Sequence, residues 1–71
     1  MYNLVGVDGN AYALMGYTQR AMKDAKFEKA DISKMLKDAM SGDYNNLICV
    51  CDEWIDRVNK KLGLEDDEDY D

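Results

Sequence analysis

Apolar residues recur at three- and four-residue spacings in three blocks of the chain. In the first block they are Ala11, Leu14, Met15, Thr18, Met22 and Ala25, with Ala21 beside them. That is the one-sided pattern of an amphipathic helix, and it predicts a helix over 11–26. Asp8-Gly9-Asn10 precedes it with side chains suited to turns and caps. Phe27-Glu28 interrupts the pattern. A second helix is predicted over 29–40, with Ile32, Met35, Leu36, Ala39 and Met40 inward and Lys34, Lys37 and Asp38 outward. Ser41-Gly42 is expected to stop it, the glycine taking the left-handed position after the cap. Asp43 suits the N-cap of a third helix over 44–62, whose stripe is Leu47, Cys51, Trp54, Val58 and Leu62, widened by Ile48 and Ile55. Gly63 ends it, and Lys60 and Lys61 complement the negative end of its dipole.

Residues 2–7 alternate weakly through Leu4, Val5 and Val7 and read as a short extended arm. The expected fold is therefore all-α: a three-helix domain over 1–64 with an N-terminal arm, followed by an acidic tail at 65–71. Its core is expected to rest on Leu14, Met15, Met22, Ile32, Leu36, Leu47, Cys51, Trp54 and Val58. Gly16, inside the first helix, costs about 1 kcal/mol relative to alanine; it marks either close approach of another helix or ligand, or nothing in particular. The third helix carries more apolar surface than two short partners cover, and a lone strand lacks a ladder partner in its own chain. Both features predict a homo-oligomer. The arm then either pairs with the same arm of a second copy or lies solvated along the helices.

Seventy-one residues make one domain, which buries only about 60% of its unfolded surface and needs extra support. Disulfides do not supply it: Cys49 and Cys51, two apart on a helix, point about 200° away from each other. A metal is not expected either, because there is no histidine and a lone Cys-x-Cys offers half a zinc site; no cofactor is expected. Residues 1–7 do not read as a basic-then-apolar leader, so no signal peptide is expected, and no run approaches the ~20 apolar residues of a membrane span. Free thiols then point to the cytoplasm. The net charge is -6, but residues 65–71 alone hold six of the 15 acids, leaving nine against nine Lys and Arg. A neutral body with an acidic end disfavours direct nucleic-acid binding, which needs a basic face.

Catalytic chemistry is not visible in the pattern. Nucleophilic catalysis needs a base beside its serine or cysteine. Cys49 instead keeps company with Glu53, Asp56 and Lys60, and Cys51 falls in the core stripe. The pairs Asp52/Asp56 and Glu53/Asp56 read as solvated charge, and Asp8-Gly9-Asn10 is too short for a calcium loop. Binding is the better prospect. Tyr12, Tyr17, Arg20 and Lys23, with Lys26 extending the basic edge, lie off the main stripe, and aromatics with arginine are enriched at binding hot spots. They are candidates to stack a base and hold a phosphate between subunits; the plainer alternative is that the tyrosines pack on the arm or a second chain. Glu65, Asp66, Asp67, Glu68 and Asp69 are the second candidate, either a solvated charge run or a strip that imitates a phosphate backbone toward a basic partner.

Val7-Asp8-Gly9-Asn10-Ala11-Tyr12, Met15-Gly16 and Ser41-Gly42-Asp43-Tyr44-Asn45-Asn46-Leu47 resemble a class of short proteins of bacteriophages and mobile elements of gut bacteria. The resemblance spans most of residues 5–58, rests on caps and turns, and implies no activity. It implies a setting, the cytoplasm of a bacterial host. The expected function is that of a small non-catalytic binding protein, a phage accessory factor inhibiting a host-defence component by protein binding or nucleic-acid mimicry. The alternatives are an oligomeric trap for a nucleotide signal and a structural or regulatory homo-oligomer.

Overall fold

A computed structural model describes residues 1–63; the acidic tail at 65–71 lies outside them. Three helices form, α1 (Ala11–Asp24), α2 (Lys29–Ala39) and α3 (Tyr44–Leu62), and there is no strand among the described residues. The protein is all-α. The starts of α1 and α3 follow side-chain caps, whereas Glu28 before α2 makes none. The Asn10 side chain accepts the N–H groups of Tyr12 at 2.8 Å and Ala13 at 3.3 Å, and Asp43 accepts that of Asn46 at 2.9 Å. Both satisfy donors that a helix leaves open in its first turn.

The ends depart more from expectation. α1 stops two residues before the predicted Lys26, because Lys26 itself adopts a left-handed conformation at φ 66°. The N–H of Lys26 donates to Lys23 and that of Phe27 to Met22, the paired bonds of a Schellman end. Glycine is the usual occupant there. Here the ending is fixed by the next residue, since Phe27 packs on the core that holds Met22 and meets Trp54 edge-on at 5.7 Å. α2 stops at Ala39, and Gly42 does not have the expected left-handed φ. Its role is steric. A Cβ at Gly42 would lie 3.0 Å from both Cβ and Cγ of Asn46, whose amide reaches across to donate to the Asp38 carbonyl at 2.8 Å. An α3 side chain thereby joins Ser41, whose N–H and hydroxyl donate at 3.2 and 2.7 Å, on the last-turn Asp38 carbonyl of α2, and only a residue without Cβ lets it pass. Gly63 does end α3 in the left-handed conformation, as expected.

Contacts at both ends set the directions of the helices. The Tyr44 hydroxyl donates to the Gly9 carbonyl, joining the starts of α1 and α3. At the opposite end Lys61 donates to the Lys26 carbonyl at 3.2 Å. α1 and α3 are thus parallel, with α2 returning between them. Met22, Met35, Trp54 and Val58 lie in one core cluster, and Leu14, Met15, Leu47 and Cys51 in another. The expected core residues are buried, except that Leu36 is half-buried. Met40, placed on the inner face of α2 by spacing, is instead 62% exposed because it caps the helix where the chain turns away. Thr18 is buried without penalty, its hydroxyl donating to the Leu14 carbonyl at 2.8 Å.

The N-terminal arm is not extended through residue 7. Val7 N–H donates to the Leu4 carbonyl at 3.0 Å with Gly6 at φ 94°, the positive angle that the third position of a type II turn requires. The arm's backbone finds partners inside the chain. Asn59, a buried polar residue of α3, accepts the Tyr2 N–H at 2.8 Å and donates to the Tyr2 carbonyl at 2.9 Å. Its side-chain amide therefore does what a neighbouring strand would have done. Asn3 N–H donates to the Tyr17 hydroxyl at 2.8 Å. The arm lies along the helices, and its backbone supplies no reason for strand pairing with a second copy.

The two glycines of opposite character give opposite mutational signs. At Gly16 an added Cβ meets nothing within 4 Å, so none of the described residues makes the close approach considered for it. Gly16→Ala should stabilise by about 1 kcal/mol, raising the melting temperature by about 4–8 °C. Gly42→Ala should expel Asn46 from its carbonyl and cost about 1 kcal/mol or more. Thermal melts of both variants check this, and a Gly42→Ala protein as stable as wild type would refute the steric role. Trp54→Ala should cost about 3–5 kcal/mol, enough to leave so small a domain unfolded by circular dichroism.

Candidate functional site

The candidate site lies where the starts of α1 and α3 meet the end of α2. Val5, Tyr12, Met40, Tyr44 and Ile48 are all exposed, and they gather around Tyr44. On one side of its ring a groove runs between Tyr12, Met15, Met40 and Leu47. On the other, a second groove runs between Leu4, Val5, Leu14 and Ile48. Tyr44 lines both, so the two form one patch with the ring as its ridge. The ring is 47% exposed and held by its hydroxyl bond to Gly9, so it stands in a fixed position.

Each element contributes through its local chemistry. The Asn10 cap starts α1 so that Tyr12 falls in the first turn on the side facing α2. The Gly42–Asn46 contact tightens the α2–α3 turn and brings Met40 beside Tyr44. The turn at Gly6 swings Val5 outward to 86% exposure. An isolated exposed apolar residue is ordinary, whereas a gathered set with a fixed aromatic has the composition of a binding surface. The charged residues lining the two grooves are Asp43 and Asp52; among the described residues no lysine or arginine lines either.

The residues singled out from the sequence are divided by the fold. Tyr12 belongs to the patch. Tyr17, five positions on, is turned about 140° around the helix and packs edge-on against Tyr2 at 6.0 Å, its hydroxyl taken up by Asn3. The plainer alternative, packing on the arm, is the one realised for it. Arg20 and Lys23 are exposed on the outer side of α1, away from the core stripe. Nothing in this arrangement brings Tyr12, Tyr17 and Arg20 around one cavity within a single copy. Glu65, Asp66, Asp67, Glu68 and Asp69 lie outside the described residues.

Spacing alone did not single out Tyr44, Met40 and Val5. It puts Met40 inward on α2, Tyr44 opens α3 outside its apolar stripe, and Val5 sits inside a turn with no helical face to read. The surplus expected on α3 also takes another form. Ile55 is buried, while Ile48 and Leu62 are exposed near opposite ends of the helix, so there is no continuous second strip. Cys51 is fully buried, and burial pushes its thiol up, as befits a core residue and not a nucleophile. Cys49 is exposed. The described residues contain no cluster of three or more His, Cys, Asp or Glu able to hold a metal ion, and no helix long and apolar enough to cross a membrane.

No family model, no curated protein and no solved structure matches the chain.

The arm beside Tyr17 carries one titration. The Tyr2 hydroxyl donates to the Asp24 carboxylate, and that bond, followed by partial desolvation, raises the Tyr2 pKa above its ordinary value near 10. A raised folded-state value means the contact stabilises fully below about pH 10 and is lost as pH climbs through the higher folded value. The Tyr2–Asp24 bond should therefore persist at neutral pH and be lost only in strongly alkaline solution. Proton NMR of the Tyr2 ring should follow that step, and Tyr2→Phe should remove it. An undocked Tyr2 ring at pH 7 would contradict the assignment.

Proposed function

We propose that this protein is a non-catalytic binder that engages another protein through the patch around Tyr44. The observation that supports this most is the gathering of Val5, Tyr12, Met40, Tyr44 and Ile48 on one end of the molecule. Tyrosine and methionine at the centre of a water-excluding contact are among the residue types enriched at interfaces. Tyr44 helps hold the starts of α1 and α3 through its hydroxyl, but the exposed side chains of Val5, Tyr12 and Met40 add little to the stability of the isolated chain, and the fold gives no account of their grouping.

The setting that accompanies this reading is that of a phage accessory factor which disables a host-defence component by occupying one of its protein surfaces. That setting rests on the resemblance of the cap and turn motifs, most of which surround the patch: Asp8-Gly9-Asn10-Ala11-Tyr12 and Ser41-Gly42-Asp43-Tyr44. A trap for a nucleotide signal built from Tyr12, Tyr17 and Arg20 gains no support from the geometry, since Tyr17 is committed to the arm.

A double variant, Tyr12→Asp with Met40→Asp, separates binding from folding. Both side chains are largely exposed, so its circular dichroism and melt should remain close to wild type. The wild-type protein, expressed in bacteria carrying individual defence systems, should restore plating of a restricted phage on at least one of them. The double variant should return plating to the level seen without the protein. Restoration that is equally strong with the variant would remove the patch from the function, and no restoration across the panel would remove the defence-inhibitor reading.

A further inference from the structure

We propose that the partner segment seated on the Tyr44 patch is an apolar anchor flanked by lysine or arginine. This rests on the protein-binding reading above and narrows it to a partner class. The inference comes from the charges at this end of the bundle. Asp43 and Asp52 line the grooves, and Asp8 is exposed next to the Gly9 that holds Tyr44. The nearest base along α2 is Lys37, one turn back from Met40, which belongs to a separate surface with Ser33 and Lys34. Helix dipoles do not reverse the sign. The starts of α1 and α3 contribute roughly half a positive charge each and the end of α2 roughly half a negative one. Against three whole carboxylates the local field stays negative.

The same charges argue against a second copy as occupant. In a two-fold contact the patch meets the same patch of the second copy, so the carboxylates of Asp43 and Asp52 would be brought against an equally acidic rim. A head-to-tail contact would use the opposite end, where Lys26, Lys60 and Lys61 gather. Two of those bases are already engaged, Lys60 with the Asp56 carboxylate at 3.3 Å and Lys61 with the Lys26 carbonyl at 3.2 Å. A basic segment from another protein meets neither difficulty. Its apolar side chain would lie beside the Tyr44 ring, and its lysine or arginine groups would reach Asp43 and Asp52 on either side.

Random twelve-residue peptides displayed on yeast, selected on the wild-type protein and counter-selected on the Tyr12→Asp, Met40→Asp variant, supply the probe. The expected winners combine a leucine or aromatic residue with neighbouring Lys or Arg. A synthetic winner should lose about fivefold in affinity, the size of two exposed charge pairs, on Asp43→Asn with Asp52→Asn. Its salt dependence should also become shallower. Asparagine caps a helix about as well as aspartate, so this variant should remain folded.

Winners that are neutral or acidic yet still depend on Tyr12 and Met40 would overturn the basic-partner inference while leaving the binding patch standing. Winners indifferent to those two residues would overturn both. Sedimentation decides the remaining occupant: a wild-type dimer that the Tyr12→Asp, Met40→Asp variant dissociates would mean that a second copy fills the patch, and the inference would fall.

Discussion

Everything in this fold leans on α3. α1 and α2 each pack along it and touch one another far less, so the longest helix is the wall against which both short ones bury their stripes. An isolated 11-residue helix such as α2 is marginal in water and is held by that packing. Trp54 is the main point of purchase. Its ring is buried, meets Phe27 from the α1–α2 connection, and is covered by the Arg57 guanidinium at 4.4 Å from its centre. Lys61 lies 4.3 Å over the Phe27 ring and also caps the Lys26 carbonyl. One turn of α3 and the next thus fasten the connection between the other two helices.

This layered arrangement explains why Lys26 tolerates a left-handed backbone. A non-glycine residue there costs about 1–2 kcal/mol, and Phe27 can reach Trp54 only if the chain turns at that place. Burial of an aromatic ring outweighs the local strain. The Asn59 clamp follows the same logic at the arm. Two hydrogen bonds from one buried amide to the Tyr2 backbone satisfy both partners at once, and the Tyr2 ring then closes over the core beside Tyr17. A chain of this size has little buried area to spare, and covering α3 with its own N-terminus adds some.

Helix identity was legible because apolar periodicity is a property of a segment by itself. The stripes of α1 and α3 and the caps at Asn10, Asp43 and Gly63 can be read from neighbouring letters. What was not legible depended on residues far apart in the chain. Asn59 reads as a polar residue on a helix until Tyr2, 57 positions away, is seen to need it. Gly42 looks like a helix stop until Asn46 passes over it. The arm looked like a strand because Val5 and Val7 carry β-forming side chains, and Gly6 between them decided otherwise. The patch escaped sequence reading for the same reason. Its members come from the arm, α1, the α2 end and α3, and only the parallel placement of α1 and α3 makes them neighbours.

The division of labour between the two ends of the bundle has a physical consequence for how such a protein works. The Trp54 end holds the larger tertiary anchors and many of the bases, and the Tyr44 end holds most of the exposed large apolar residues and an acidic rim. Substitution at the first end acts on stability, because buried contacts are lost there. At the second end, Val5, Tyr12 and Met40 are mostly outside the core already, so changes to them should leave the fold largely intact and, on the proposed reading, act on the partner. In a domain with so thin a margin of stability, a binding surface built from core residues would trade affinity against folding with every change. The proposed surface sits on turns and first helical turns, held by caps more than by packing, so that its residues could vary with little effect on the wall they stand on.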